Sequence, residues 1–255
     1  MIEFGTEARP LRPSSLDNLL ACPMSVLLTL GMASEGNAGS NTGSVVHAGV
    51  EGFHRGGESV TAGEEAMAEA LPKFPEADWG KAYAWYQAYA ADPTNRGAIA
   101  RLEDGRPAVE VPVRINYKGV WIAGTLDQVR LTDGVLSVWD LKTGSGFLSP
   151  EDTVAEHQAQ QAAYVLAARA TLKLDIQPGG IIYAVGYDKP RGRRFIPMGV
   201  TLKQCEELLD EVVARVAVIR DGGRSFIPSA AACKFCKLRT YPSCTGNTSD
   251  ATSPA

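Results

Sequence analysis

The sequence predicts an α/β fold with a mixed β-sheet and helices packed around it, and two observations lead to this prediction. From about residue 108, apolar and polar side chains begin to alternate as they do in strands, whereas the preceding segments have helical spacing. Three consecutive strands are then followed by a long helical stretch at 151–172 and another apolar strand. A helix that crosses between strands is typical of α/β proteins with a mixed sheet.

The N-terminal half is predicted to be helical. Residues 12–31 form the first predicted helix, with Ser14 or Ser15 as its cap and Gly31 at its end. Pro23 favours a break within it. Residues 32–43 are rich in Gly, Ser and Asn and are expected to be a loop. Helices at 44–56, 62–71 and 76–92 then complete a helical subdomain.

The second half supplies the sheet. Strands are predicted at 108–119, 120–131 and 134–144, with hairpin turns at 116–119 and 132–134. After the long helix, further strands are predicted at 179–188 and 193–202, followed by an amphipathic helix at 201–222. The polar end of the chain, residues 246–255, is expected to be disordered.

Composition excludes some classes of function. The chain has 255 residues and a net charge of −4, so it is not a general binder of polyanions, and any nucleic-acid contact must come from a local basic patch. No apolar run reaches the length of a membrane span. The first residues lack a signal-peptide pattern, so we expect a cytoplasmic protein, in which clustered cysteines indicate metal ligation more than disulfides.

Two carboxylates and a lysine lie on the second and third predicted strands. Asp140 and Lys142 share one strand face, and the hairpin brings Asp127 close to Asp140. Facing carboxylates repel each other unless a cation neutralises them, and oxygen ligands suit Mg²⁺ or Mn²⁺. Such a site supports phosphodiester hydrolysis, in which Lys142 orients or deprotonates water or stabilises the developing charge. Taken alone, however, an Asp-x-Lys pattern in a strand is more often an ordinary salt bridge than a catalytic site.

Further polar residues favour the site interpretation. Gln160 and Tyr164 are four residues apart on the long helix, so both can reach one substrate, although a solvated polar pair has the same spacing. His47 is a candidate metal ligand, although a lone helical histidine is more often a surface or core residue.

Five short motifs occur in a characteristic order: GSVVHAGVE, VEVPVRI, GTLDQV, VWDLKTG and HQAQQAAY. In this order they resemble the RecB-like branch of the PD-(D/E)XK nucleases. The resemblance implies a restriction-endonuclease-like core within a single domain at 1–245, with a helical insertion at about 44–100 and the nuclease core at about 105–222.

The resemblance also implies roles for individual residues. The metal ligands would be His47, Asp127, Asp140 and the backbone carbonyl of Leu141. Lys142 would be the catalytic lysine, and Gln160 and Tyr164 would contact the DNA backbone or orient the lysine. Glu110 falls where the family often has an acidic residue.

The cysteines form a second candidate site. Cys233, Cys236 and Cys244 have ligand spacing, and a fourth thiolate must come from Cys22 or Cys205. The chain resembles CRISPR-associated exonucleases of the Cas-four type and AddB-type nucleases, which have one cysteine before the core and three after it. This implies a [4Fe–4S] cluster on Cys22, Cys233, Cys236 and Cys244. Structural Zn²⁺ remains an alternative, because spacing does not distinguish the two.

A basic turn is the candidate DNA contact. It contains Lys189, Arg191, Arg193 and Arg194, although a solvated hairpin tip would have the same composition. The expected function is therefore a metal-dependent DNA exonuclease acting on single-stranded or ended DNA, in repair, recombination or mobile-element DNA processing. The alternatives are a noncatalytic DNA-end-binding adaptor and a structure-specific endonuclease with a zinc-stabilised fold.

Overall fold

The computed structural model describes residues 3–23, 26–27, 37–143, 149–184 and 195–222. Within these ranges it confirms the α/β prediction, with a five-stranded mixed sheet flanked by helices. The strands are β1 (Val109–Tyr117), β2 (Val120–Thr132), β3 (Val135–Thr143), β4 (Ile176–Ala184) and β5 (Phe195–Pro197). The α-helices are α1 (Leu16–Ala21), α2 (Ala38–Arg55), α3 (Val60–Ala70), α4 (Trp79–Ala91), α5 (Pro150–Leu172) and α6 (Leu202–Arg220).

The strands lie in the order β1-β2-β3-β4-β5, and only the β3–β4 pair is parallel. The β2–β3 hairpin turns at Asp133 and Gly134, whose φ angles are 50° and 80°. Two positive φ angles define the two-residue turn that matches the twist of a hairpin. This turn fixes the pairing of Thr132 with Val135, and the same register, which extends to Gln128 with Trp139, brings Asp127 beside Asp140.

Helices cover both faces of the sheet. The crossover helix α5 packs with α1 and α6 around one apolar cluster, which includes Leu16, Leu19 and Leu209. On the other face, α2, α3 and α4 pack against β3 and β4, where Leu141 and Ile182 are buried. Because strand side chains alternate, burial of Leu141 towards α2 turns its neighbours in β3 towards α5.

Several predicted boundaries were wrong, including that of the strand predicted at 193–202, since β5 ends at Pro197. Residues 38–43, expected to lie in a loop, form the first turns of α2, and the remainder of that predicted loop falls outside the described residues except for Asn37. The side chain of Asn37 accepts a hydrogen bond from the Ser40 amide at 2.9 Å, and this capping box outweighs the low helix propensity of the glycines that follow. Strand β4 begins at Ile176 rather than at residue 179.

None of the helices within the described residues is both long and apolar enough to cross a lipid bilayer.

A buried polar network joins the helical subdomain to the sheet. Gln128 Nε2 donates to Tyr89 Oη at 2.8 Å, which leaves the hydroxyl proton to bond His54 Nε2, also at 2.8 Å. Arg130 Nη1 donates to Gln128 Oε1 and Asn95 Oδ1, at 3.1 Å each. His54 is therefore a neutral acceptor held among buried groups.

We expect this network to make the protein acid-sensitive. Burial, together with the charges of Arg130 and Arg96, lowers the pKa of His54 to about 3, whereas in the unfolded chain it is near 6.5. Between these pH values the unfolded state binds the extra proton, so the free energy of unfolding falls by up to about 1.4 kcal/mol per pH unit below pH 6.5. Urea unfolding of the wild type and His54→Gln at pH 7.5, 6 and 5 measures the effect. Parallel pH dependences in the two proteins would contradict it, since all other titrations are shared.

Candidate active site

A cavity of about 630 Å³ lies between α2, the end of β3 and the middle of α5. It contains every residue of the predicted catalytic and metal-binding set, which the fold gathers from two helices and two strands. These residues are His47, Asp127, Asp140, Leu141, Lys142, Gln160 and Tyr164. Glu110 and Glu51 also line it, as do small residues of the first turns of α2.

His47, Glu110 and Asp127 form one cluster, with ligand atoms within 4.8 Å of one another. His47 Nδ1 lies 3.0 Å from Glu110 Oε1 and 3.6 Å from Asp127 Oδ1. Its Nε2 lies 3.1 Å from the carbonyl oxygen of Leu141. Both ring nitrogens thus face oxygen acceptors, an arrangement that favours the doubly protonated imidazolium.

Glu110 reaches this cluster through an unusual backbone conformation. It has a φ angle of 47°, in the left-handed region that few residues other than glycine adopt. Its flanking residues Val109 and Val111 are paired regularly with β2. Strained backbone of this kind is concentrated at functional sites, and here it accompanies the contact of a carboxylate with His47.

The charges of the cluster control one another. Burial alone would lower the pKa of His47, but the carboxylates of Asp127, Glu110 and Asp140 outweigh it and raise that pKa well above its usual value. Burial raises the pKa of Asp127, and the nearby charges of Asp140 and Glu110 add to this increase against the opposing effect of His47. The carboxylates of the cluster thus surround a position that favours a positive charge, and His47 occupies that position in this structure.

Asp140, Lys142 and Gln160 form the second half of the site. Gln160 Nε2 donates to Asp140 Oδ1 at 2.7 Å, and Lys142 Nζ donates to Gln160 Oε1 at 3.3 Å. Lys142 Nζ also lies 2.9 Å from Asp140 Oδ2. The side-chain amide therefore holds the carboxylate with one end and the ammonium with the other.

Protonation of Lys142 and Tyr164 follows from their surroundings. Burial opposes the charge on Lys142, but the carboxylate of Asp140 outweighs it, so the pKa of this lysine rises above its usual value. Burial raises the pKa of Tyr164, with a further contribution from the charge of Asp127. At neutral pH the site therefore presents an ammonium and a neutral hydroxyl.

The residues present fit a divalent cation. Carboxylate oxygens and a backbone carbonyl are ligands that suit Mg²⁺ and Mn²⁺, and His47 adds a nitrogen donor. Asp140 Oδ2 is buried and accepts no hydrogen bond from the described residues, which leaves it only the ion pair with Lys142. Asp127 Oδ2 accepts from the Leu141 amide at 2.6 Å, so Asp127 is held in place while Oδ1 faces the cluster.

The remaining predicted residues lie mostly outside the described part of the chain. This applies to Cys233, Cys236 and Cys244, to the basic residues Lys189, Arg191, Arg193 and Arg194, and to the tail at 246–255. Cys22 is described and is buried at the end of α1. Cys205 is buried in α6, and burial raises the pKa of its thiol to about 11, as expected for a packing residue.

Sequence reasoning overlooked Asp17 in α1. Its carboxylate accepts hydrogen bonds from the backbone amides of Ala159 at 2.8 Å and Gln160 at 3.0 Å. In the sequence, Asp17 is an acidic residue next to the apolar Leu16 and Leu19, which are buried in the structure. An acidic residue in that position ordinarily indicates the solvent-exposed side of an amphipathic helix.

Comparisons with known proteins show what the chain is similar to. The family model of the PD-(D/E)XK nuclease superfamily matches residues 10–241. The Gene 69 protein of Mycobacterium phage L5 is 29% identical over 139 residues, which is 53% of this chain and 44% of that protein. The Gene 69 protein of Mycobacterium phage D29 is 31% identical over 136 residues, which is 53% of this chain and 47% of that protein. The chain therefore spans about half the length of these relatives.

A solved structure shares the fold. It is a crystal structure from Eubacterium rectale, described as a proposed exonuclease, with a TM-score of 0.55 and 14% sequence identity. The match covers 84% of this chain and 82% of that protein. At this identity the similarity concerns the fold alone.

Proposed function

We propose a function for this chain from the family to which it belongs. The chain is a member of the PD-(D/E)XK nuclease superfamily, whose family model matches residues 10–241. The proposed function is metal-dependent exonucleolytic hydrolysis of DNA, on single strands or free ends. One observation carries it: the Asp140–Lys142–Gln160 triad shares a cavity with the His47–Glu110–Asp127 cluster.

In this proposal Asp127, Asp140, His47 and the Leu141 carbonyl would hold Mg²⁺ or Mn²⁺, with Glu110 as an additional ligand or as the partner of His47. A cation held there would lower the pKa of a bound water and neutralise charge on a phosphate oxygen. His47 must release a proton to become a ligand, because metal binding requires the neutral imidazole.

The other side chains position and stabilise the reacting groups. Lys142 keeps its proton and places an ammonium beside Asp140, where it stabilises negative charge on the phosphate or orients the attacking water. Gln160 holds Asp140 and Lys142 in one arrangement. Tyr164 offers a neutral hydroxyl to the DNA backbone.

The choice of substrate is supported by the relatives and by the motif order. The Gene 69 relatives come from phages, which suits mobile-element DNA processing, repair or recombination. The structure from Eubacterium rectale is described as a proposed exonuclease. The motif order supports placement in the RecB-like branch. The basic segment that contains Lys189, Arg191, Arg193 and Arg194 would add contacts to the phosphates of DNA. We also propose a cytoplasmic protein with one nuclease domain at 1–245.

Linear and circular DNA test the proposal. End-labelled linear single strands, linear duplexes and covalently closed single-stranded circles are each incubated with the protein and Mg²⁺ or Mn²⁺. We expect the linear single strand to be degraded and the circle to resist, with no cleavage in EDTA. Cleavage of circles at the same rate would indicate an endonuclease instead. Binding to DNA ends without cleavage of any substrate would favour the adaptor.

An iron–sulfur cluster is a separate proposal. Cys22 lies buried at the end of α1, and in this proposal it is the fourth cluster ligand together with Cys233, Cys236 and Cys244. Anaerobic purification should give a brown protein with about four iron and four sulfide ions per chain. A colourless protein with stoichiometric zinc would refute the cluster in favour of the zinc site.

A further inference from the structure

Asp17 connects helix α1 to the middle of α5. Its carboxylate accepts from the amides of Ala159 and Gln160, the tenth and eleventh residues of α5, at 2.8 and 3.0 Å. Amides in the interior of a helix ordinarily donate to the carbonyl four residues earlier. At this turn of α5, two consecutive backbone amides instead donate to a carboxylate from another helix. A side chain that inserts into the helical hydrogen-bond pattern in this way is a recognised cause of local helix distortion.

The packing around Asp17 keeps α1 against this turn. Leu16 and Leu19 are fully buried in the cluster that also contains Ala159 and Ala163. Burial raises the pKa of Asp17 to about 6, against the lowering effect of its two backbone hydrogen bonds and the charge of Lys142. The carboxylate is thus half-buried, and these two amides and the nearby ammonium help to compensate its charge.

Gln160, whose backbone amide donates to Asp17, also contributes its side chain to the candidate active site. Gln160 donates to Asp140 at 2.7 Å and accepts from Lys142 at 3.3 Å. A side-chain amide can serve both partners only if its Cα is at the correct height and rotation on the helix. Displacement by about 1 Å at a reacting site can reduce turnover on the order of 100-fold.

We propose that Asp17 is a positioning residue for the proposed hydrolysis: it sets the place of Gln160 on α5, so that one side chain aligns both Asp140 and Lys142. The inference rests on the proposed nuclease function. Asp17 is not among the described residues that line the cavity, and in this proposal it acts through the backbone of Gln160.

The test is a double-mutant cycle. Asp17→Asn keeps the shape but replaces one acceptor with an NH₂ group that faces a backbone N–H. We expect kcat on linear single-stranded DNA to fall about 10- to 100-fold while KM changes less than about threefold. In a Gln160→Ala background, Asp17→Asn should change kcat by less than about threefold, because the side chain through which it acts is already missing. Equal losses in both backgrounds would overturn the proposal and leave Asp17 a stability residue.

Two further measurements make the outcomes separable. Hydrogen exchange of the Ala159 and Gln160 amides should be faster in Asp17→Asn than in the wild type, and this readout does not depend on activity. Asp17→Glu, which keeps both acceptor oxygens, replaces Asp17→Asn if the latter does not fold, and it should lose kcat with the same dependence on Gln160. Asn18→Ala, at an exposed neighbouring site in α1, is the control and should leave kcat unchanged.

The two proposals fail differently. A wild-type chain that degrades no DNA with Mg²⁺ or Mn²⁺ would refute the proposed function, and the positioning role would be refuted with it. An active wild type with an equally active Asp17→Asn variant, or with unchanged exchange at Ala159 and Gln160, would overturn the positioning role alone.

Discussion

Asp140→Asn should reduce DNA cleavage at least about 1000-fold in saturating Mn²⁺, the largest loss we expect from a single substitution in this chain. Asparagine keeps an oxygen that can accept from Gln160, so the contact at 2.7 Å survives. What is lost is the negative charge of Oδ2, which is buried and lies 2.9 Å from Lys142 Nζ. An NH₂ group in that place would face the ammonium and offer nothing to a cation.

Initial rates on end-labelled single-stranded DNA measure the effect, with isothermal titration of Mn²⁺ as a second readout. We expect weaker metal binding together with the loss of activity. The matched control is Asp175→Asn, which makes the same change at an exposed carboxylate outside the cavity. Its activity should equal that of the wild type. Retention of more than a tenth of the activity by Asp140→Asn, in a folded protein, would exclude Asp140 from the site.

Several parts of the site were predictable because local geometry determines them. The Asp133–Gly134 turn fixes the hairpin register, so Asp127 and Asp140 had to be neighbours. Alternation along β3 places Asp140 and Lys142 on one face, and helical spacing places Gln160 and Tyr164 on one face of α5. Each of these relations depends on residues that are close in the sequence or joined by a tight turn.

Other parts depend on long-range packing that no local pattern encodes. Glu110 meets His47 across 63 residues, through a left-handed backbone conformation in a residue that does not favour it. Asp17 meets Gln160 across 143 residues, and its sequence context is that of an ordinary helix surface. The early start of α2 has a local cause in the capping box of Asn37 and Ser40, but the close approach of Gly43 to Thr143 is long-range: an added Cβ would lie 2.5 Å from Thr143 Oγ1.

Lys142→Met is expected to lower kcat about 100- to 1000-fold while leaving Mn²⁺ affinity nearly unchanged. Methionine retains most of the apolar stem but removes the ammonium that contacts Asp140 at 2.9 Å and Gln160 at 3.3 Å. The metal ligands remain in place, so the loss should appear in turnover and not in metal binding. This division of effects separates Lys142 from Asp140, whose replacement should impair both. Lys203→Met, an exposed lysine on α6, is the control and should be fully active.

The role of the ammonium can be tested with Lys142→Arg. The pKa of Lys142 is raised above its usual value because the Asp140 carboxylate outweighs the effect of burial, so the side chain enters the reaction protonated. A protonated lysine stabilises negative charge on the phosphate, and arginine retains that charge although its shape differs. We therefore expect Lys142→Arg to be at least about tenfold more active than Lys142→Met. If arginine and methionine were equally inactive, and the wild-type rate rose steeply with pH, the lysine would instead remove a proton from water, since arginine does not lose its proton in proteins.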